Sequence, residues 1–105
     1  MKNFQDLIQM GQKMQARMAE IQENLQQQEV SATSGGGMVT ATVNGKGEVR
    51  SVTIDPTVVD PDDVEMLEDL VVAAVAEAQK KAQSLHEEEM QKVAGGLPFK
   101  VPGLF

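Results

Sequence analysis

The 105-residue chain carries three Phe, no Tyr, no Trp and no Cys, at a formal net charge of -7. The missing thiols exclude disulfide scaffolds, thiolate metal sites, cysteine nucleophiles and thiol redox chemistry, while the length points to one domain with an adequate but not generous core. That core must come from Val, Leu, Ile, Ala and seven Met, which pack adaptably but specify geometry weakly, so burial against a second copy would compensate.

The opening stretch MKNFQDLIQMGQKMQ has polar residues at every second or third position and does not read as a signal peptide. From Phe4 the positions Phe4, Leu7, Gly11, Met14, Met18, Ile21 and Leu25 follow a 4-3 alternation, apolar at every step but Gly11. This is an a/d seam and predicts a helix over 3–28, narrow enough to suit one neighbouring helix better than a globular core. Gly11 costs such a helix about 1 kcal/mol relative to Ala, which a close helix crossing would explain better than a hinge.

Residues 29–54 predict a three-stranded antiparallel sheet. A short strand starts at Glu29, Gly35-Gly36-Gly37 turns the chain, and Val39, Ala41 and Val43 alternate with Thr40 and Thr42 at period two. Asn44-Gly45 is a strong hairpin signal, because both residues can take positive φ at the centre of the turn. Strand three returns through Val49, Val52 and Ile54.

Asp60-Pro61-Asp62-Asp63 offers an N-cap carboxylate, a proline at the first helical position and acids in the first turn, predicting a second helix over 61–94. Its apolar positions, from Val64 to Leu85, form a stripe wide enough to cover a sheet and still touch a partner. Gly95-Gly96 closes the helix. The segment 95–105 is apolar, and its two prolines forbid a helix, so it is either frayed or docked. The longest apolar run, Leu70 to Ala76, is seven residues, against about 20 needed to cross a bilayer. The fold class is α+β: long helix, small sheet, long helix, an elongated shape that favours a dimerising binding protein over a catalyst.

Charge is unevenly placed. Residues 1–54 hold five basic and five acidic side chains, and 55–105 hold four and eleven, so any nucleic-acid contact must come from a local basic patch. Lys13 and Arg17, four apart, share a helix face off the seam; Lys80 and Lys81 form a second basic site. No aromatic residue interleaves these positions, which argues against base stacking on single strands.

The catalytic and cofactor readings are weaker. Gly45-Lys46-Gly47 lacks both the first glycine and the Ser or Thr of a phosphate loop, and the acids of 60–69 are explained by capping without any Ca²⁺-loop spacing. His86 has no nucleophile logic around it. The expectation is therefore no enzyme, no cofactor, no metal and no small-molecule substrate.

The segment VNGKGEVRSVTIDP, the first-helix pattern from Leu7 to Gln15, the Ile54-Asp55-Pro56 step and the stretch Met66-Leu67-Glu68-Asp69-Leu70-Val71 resemble the YbaB/EbfC family of bacterial nucleoid-associated proteins over nearly the whole chain. The resemblance implies a homodimer whose sheets join while its helices project like tweezers. It further implies binding to double-stranded DNA with low sequence specificity, a place in the cytoplasm at the nucleoid, and a role in nucleoid organisation or gene regulation. A basic helix-one position of the family maps onto Arg17, and a basic pair of its last helix onto Lys80 and Lys81. The alternative reading is a protein-interaction or chaperone-like module using the Met-rich seams, in the manner of prefoldin subunits, whose coils run longer.

Overall fold

The computed structural model describes residues 4–95, and their side chains as far as residue 92. Helix α1 spans Phe4–Gln27, strands β1 (Glu29–Ser34), β2 (Val39–Asn44) and β3 (Val49–Ile54) follow, and helix α2 spans Val64–Gly95. The three strands form one antiparallel sheet in the order β1-β2-β3. The α+β architecture expected from the patterning is the one observed.

The core lies between the sheet and α2. Val39, Ala41 and Val43 point to one face of the central strand and are 0% exposed, as are Ala74, Ala78 and Ala82 of α2. Alanines every fourth residue make a smooth stripe that lets the helix approach the sheet closely, and Val30, Ile54, Leu67, Leu70, Val71 and Val75 close the margins. Burying each of the two valines contributes about 1.5–3 kcal/mol. Ser34 Oγ donates to Leu70 O at 2.6 Å, and Lys81 Nζ donates to Ser31 O at 2.9 Å. Both bonds hold α2 over the β1 side.

Turn chemistry departs from the expected hairpin. Gly47 N donates to Asn44 O at 2.9 Å, and Gly47 takes the left-handed φ of 88° while neither Asn44 nor Gly45 has a positive φ. The loop is therefore a three-residue connection, Gly45 to Gly47, whose last residue is the left-handed glycine, not a two-residue mirror-image turn. Asn44 is fully buried. Its Oδ1 accepts from Lys46 N and Glu48 N, both at 3.0 Å, and its Nδ2 donates to Glu48 Oε1 at 2.7 Å, so every polar atom of the buried amide has a partner.

Helix α2 begins at Val64, three residues later than the expected Pro61. Asp60 Oδ1 accepts from Asp62 N in a local turn, and Asp63 Oδ1 caps the helix by accepting from Met66 N at 3.2 Å. Two carboxylates compete for the capping role, and the later one takes it.

Helix α1 attaches to this body at one end. Ile21 and Leu25 are its buried residues, packed with Met14, Met18 and Leu85. Farther out the same seam is open: Leu7 is 58% and Phe4 73% exposed. Gly11 meets no neighbour within 4 Å of an added Cβ, so the helix crossing expected there is not made among the described residues.

Candidate nucleic-acid interface

The long axis places the basic residues. The molecule measures 72 × 24 × 16 Å, whereas 32 residues of α2 cover only about 48 Å. A transverse α1 would not fit, so α1 runs outward along the long axis from its junction at Leu25 and Leu85. The last turns of α2 extend the same way. The molecule is a body with two arms of unequal length.

Lys13 and Arg17 lie midway along α1, both exposed, and about 40° apart around the helix, so they make one basic face beside the seam. Lys80 and Lys81 are also exposed, but adjacent helical residues differ by about 100° in direction. Lys81 bends onto the β1 backbone at Ser31; Lys80 points away from the buried alanine stripe. Along the axis, Arg17 sits about 12 Å outward of Leu25 and Lys81 about 6 Å inward of Leu85. The structure thus brings Lys13 and Arg17 together, splits the lysine pair between two faces, and keeps the two sites apart.

None of the four forms an ion pair among the described residues, where the recorded pair is Lys92 with Glu89 at 3.2 Å. Glu20 and Glu77 each stand one helical turn away from a basic residue without bridging to it. The strongest acidic run, from Asp60 to Asp69, lies at the opposite tip of α2. Asp69 and Lys80 are separated by about 16 Å of helix, roughly two Debye lengths at physiological salt. The six carboxylates of that run are therefore largely screened from Lys80 and Lys81.

One residue that sequence reasoning left out of any site is Arg50. The register between β2 and β3 slips between Thr42 and Val43, with Val43 opposite Val49 and Thr42 opposite Ser51. Arg50 is the extra residue of this bulge, and bulges re-aim side chains. Its Nη2 donates to Gln26 O at 2.9 Å, beside Gly45 N, which donates to Leu25 O at 2.7 Å and Gln28 O at 3.0 Å. No basic residue of α1 itself lies in its last turn. The sheet supplies both the cation and the donors that satisfy the end of the arm.

Two clefts on the surface are poor in reactive groups. One, between the hairpin and α2, is lined by Gly45, Lys46, Gly47, Gln79, Gln83 and His86 among others; it has no hydroxyl or carboxylate to pair with the half-buried imidazole. The other holds Arg50 among Glu23, Glu29 and two glutamines. No group of three His, Cys, Asp or Glu poised for a metal occurs among the described residues, and none of the described helices is long and apolar enough to cross a membrane.

Comparison with known proteins gives this geometry a context. The chain is 53% identical over 95 residues to a nucleoid-associated protein of Chloroflexus aurantiacus, covering 90% of this chain and 95% of the relative. It is 48% identical over 103 residues to a nucleoid-associated protein of Acetivibrio thermocellus, covering 98% and 90% respectively. The crystal structure of an uncharacterized protein from Helicobacter pylori superposes with a TM-score of 0.77 at 22% identity, over 88% of this chain and 97% of that one, a likeness of fold. The model of the YbaB/EbfC DNA-binding family, which is not an enzyme family, matches residues 1–97, and the chain belongs to that family.

Proposed function

We propose that the protein is a nucleoid-associated homodimer that grips the backbone of double-stranded DNA through Lys13, Arg17, Lys80 and Lys81, with low sequence specificity. The observation that carries this reading is the membership of a DNA-binding family together with four exposed cations that form no ion pair among the described residues. Contacts to phosphates position a protein on the duplex but carry no base information, which accounts for low specificity. A role in nucleoid organisation or gene regulation, in the cytoplasm, follows from that mode of binding.

The dimer is proposed to form through β3. By register, Val52 and Val49 share the sheet face of Ala41 and Val43, yet α2 covers β1 and β2 and leaves them 38% and 48% exposed. Val59 and Val64, 51% and 52% exposed, extend the uncovered surface. Among the described residues the outer edge of β3 also has no strand beside it, and an apolar open edge invites pairing. Two copies joined there carry their arms outward and double the basic faces to eight cations.

Titration of a labelled duplex over a salt series tests the reading. Each phosphate neutralised contributes about 0.9 to the slope of log affinity against log salt, so a dimer using all its cations approaches a slope of about -7. Arg17→Glu combined with Lys81→Glu is expected to abolish the shift and leave the mass by light scattering unchanged. Binding indifferent to salt, or to that double variant, would overturn the assignment.

A further inference from the structure

The apolar seam of α1 changes width along the helix. Where Met18, Ile21 and Leu25 pack against the chain's own Leu85, the positions flanking the seam are polar: Gln15, Arg17, Gln22 and Asn24. Over 4–14 the flanking positions are Ile8 and Met10. The face is therefore widest where Phe4, Leu7, Ile8 and Met10 stand 73%, 58%, 44% and 57% exposed, and apolar flanks serve a helix that seats on both sides of the seam. This stretch also projects past α2. Counting ten residues from Leu85, α2 ends about 15 Å beyond the junction, level with Gln15, and 4–14 overhangs it by a further 15 Å or so.

We propose that this overhang pairs antiparallel with the overhang of a second copy, about a two-fold axis level with Gln9. A two-fold contact must be self-complementary, each residue meeting in the other copy the one that meets it in return, and the sequence of the overhang has that property. Phe4 faces Met14 of the second copy, and Leu7 faces Gly11, whose missing side chain leaves the hole that a leucine fills. Ile8 lies against Ile8 on one flank and Met10 against Met10 on the other. Gly11, which meets nothing within 4 Å among the described residues, thereby gains the close crossing that justifies a glycine in mid-helix.

Charge selects the direction. Asp6 and Lys13 are the charged residues of 4–14. In the antiparallel pair Asp6 of one copy stands within about one residue of level with Lys13 of the other, on the same side, whereas a parallel pair would set like charges level with each other. The pairing covers neither basic residue of the arm, since Lys13 lies toward the outer side of α1 and Arg17 lies beyond the paired stretch. About three turns a side is less than the roughly 1,200 Å² of a stable interface, so the contact is a weak one that fills as copies are crowded together. The inference goes beyond the β3 dimer and the DNA-binding reading and depends on neither.

The chain has no cysteine, so single-cysteine variants of the full chain, treated with a short bis-maleimide and read on a denaturing gel, report the contact. Ile8→Cys, beside the axis, is expected to link chain to chain about tenfold more than Gln9→Cys, which is level with the axis but on the far side of the helix. Phe4→Cys, about 15 Å along the axis from its counterpart in the antiparallel pair, is expected to link to itself as poorly as Gln9→Cys. Linkage at Ile8→Cys no greater than at Gln9→Cys would mean random collision, or a seam closed to a second copy, and would overturn the proposal. Linkage stronger at Phe4→Cys than at Ile8→Cys would show a parallel pair and overturn it equally.

Discussion

The body and the long arm are built on opposite plans. In the body, three alanines of α2 interlock with Val39, Ala41 and Val43 at zero exposure, and hydrogen bonds from Ser34 and Lys81 tie the layers. In the arm, 24 residues of helix rest on two buried side chains, and the attachment is completed by backbone carbonyls held from the sheet by Gly45 and Arg50. The body is held by two packed layers, and the arm extends a surface from it. Packing is therefore concentrated in the body, and most of the arm's length is surface.

The largest expected effect is in the body. Ala78→Leu forces three further carbons into a site with no free volume, and overpacking of this kind is expected to cost about 3 kcal/mol, read as a fall in the denaturation midpoint of the whole molecule. Gly45→Ala strikes the junction instead. Its Cβ would lie 2.6 Å from Leu25 O and 3.0 Å from Leu25 Cα, backbone atoms that have no rotamer with which to move aside. About 2 kcal/mol is expected, but confined to the arm: amide exchange rises over Ile21–Gln27 and stays low over Val39–Val43. Loss of protection in both regions together would show that the arm and body are one cooperative unit, and the comparison would fail.

Legibility in the sequence followed the same division. Element order was readable because each element carries its own period: 4-3 in α1, two in β2, a broad stripe in α2. The bulge was also written there, since Val49 and Val52 are three apart where an unbroken strand would space them by two. The start of α2 was not, because Asp60 and Asp63 are equivalent caps on paper and only the local turn at Asp60 decides between them. For the basic sites, Lys13 and Arg17 share a face by spacing alone. Lys80 and Lys81 look like a pair because they are neighbours in sequence, and helical geometry is what separates them. Arg50 was illegible as an arm-holding residue, since its partner, the carbonyl of Gln26, is 24 positions away and belongs to another element.

Gly11 sharpens the comparison through the sign of its effect. With nothing near it among the described residues, Gly11→Ala is expected to stabilise the arm by about 1 kcal/mol by helix propensity, measured as slower amide exchange over residues 5–15. If a second copy crosses α1 closely at that point, the added methyl weakens the dimer instead, and light scattering at falling concentration detects it.

The smallest effect belongs to the link between sheet and α2. Asp55 Oδ1 accepts from Thr57 N at 2.9 Å and from Thr57 Oγ1 at 2.8 Å, and the backbone bond, then the hydroxyl bond, hold the carboxyl below its ordinary pKa. A carboxyl whose pKa is depressed on folding binds fewer protons folded than unfolded, so its contribution is complete above the unfolded pKa and disappears as pH falls through the folded one. Asp55→Asn is therefore expected to lower the melting temperature slightly at pH 7. The difference should shrink below about pH 4, where the unfolded carboxyl begins to protonate, and vanish at lower pH. A deficit that persisted unchanged into acid would mean that the amide breaks the turn sterically, and that the charge of Asp55 contributes nothing to joining the two layers.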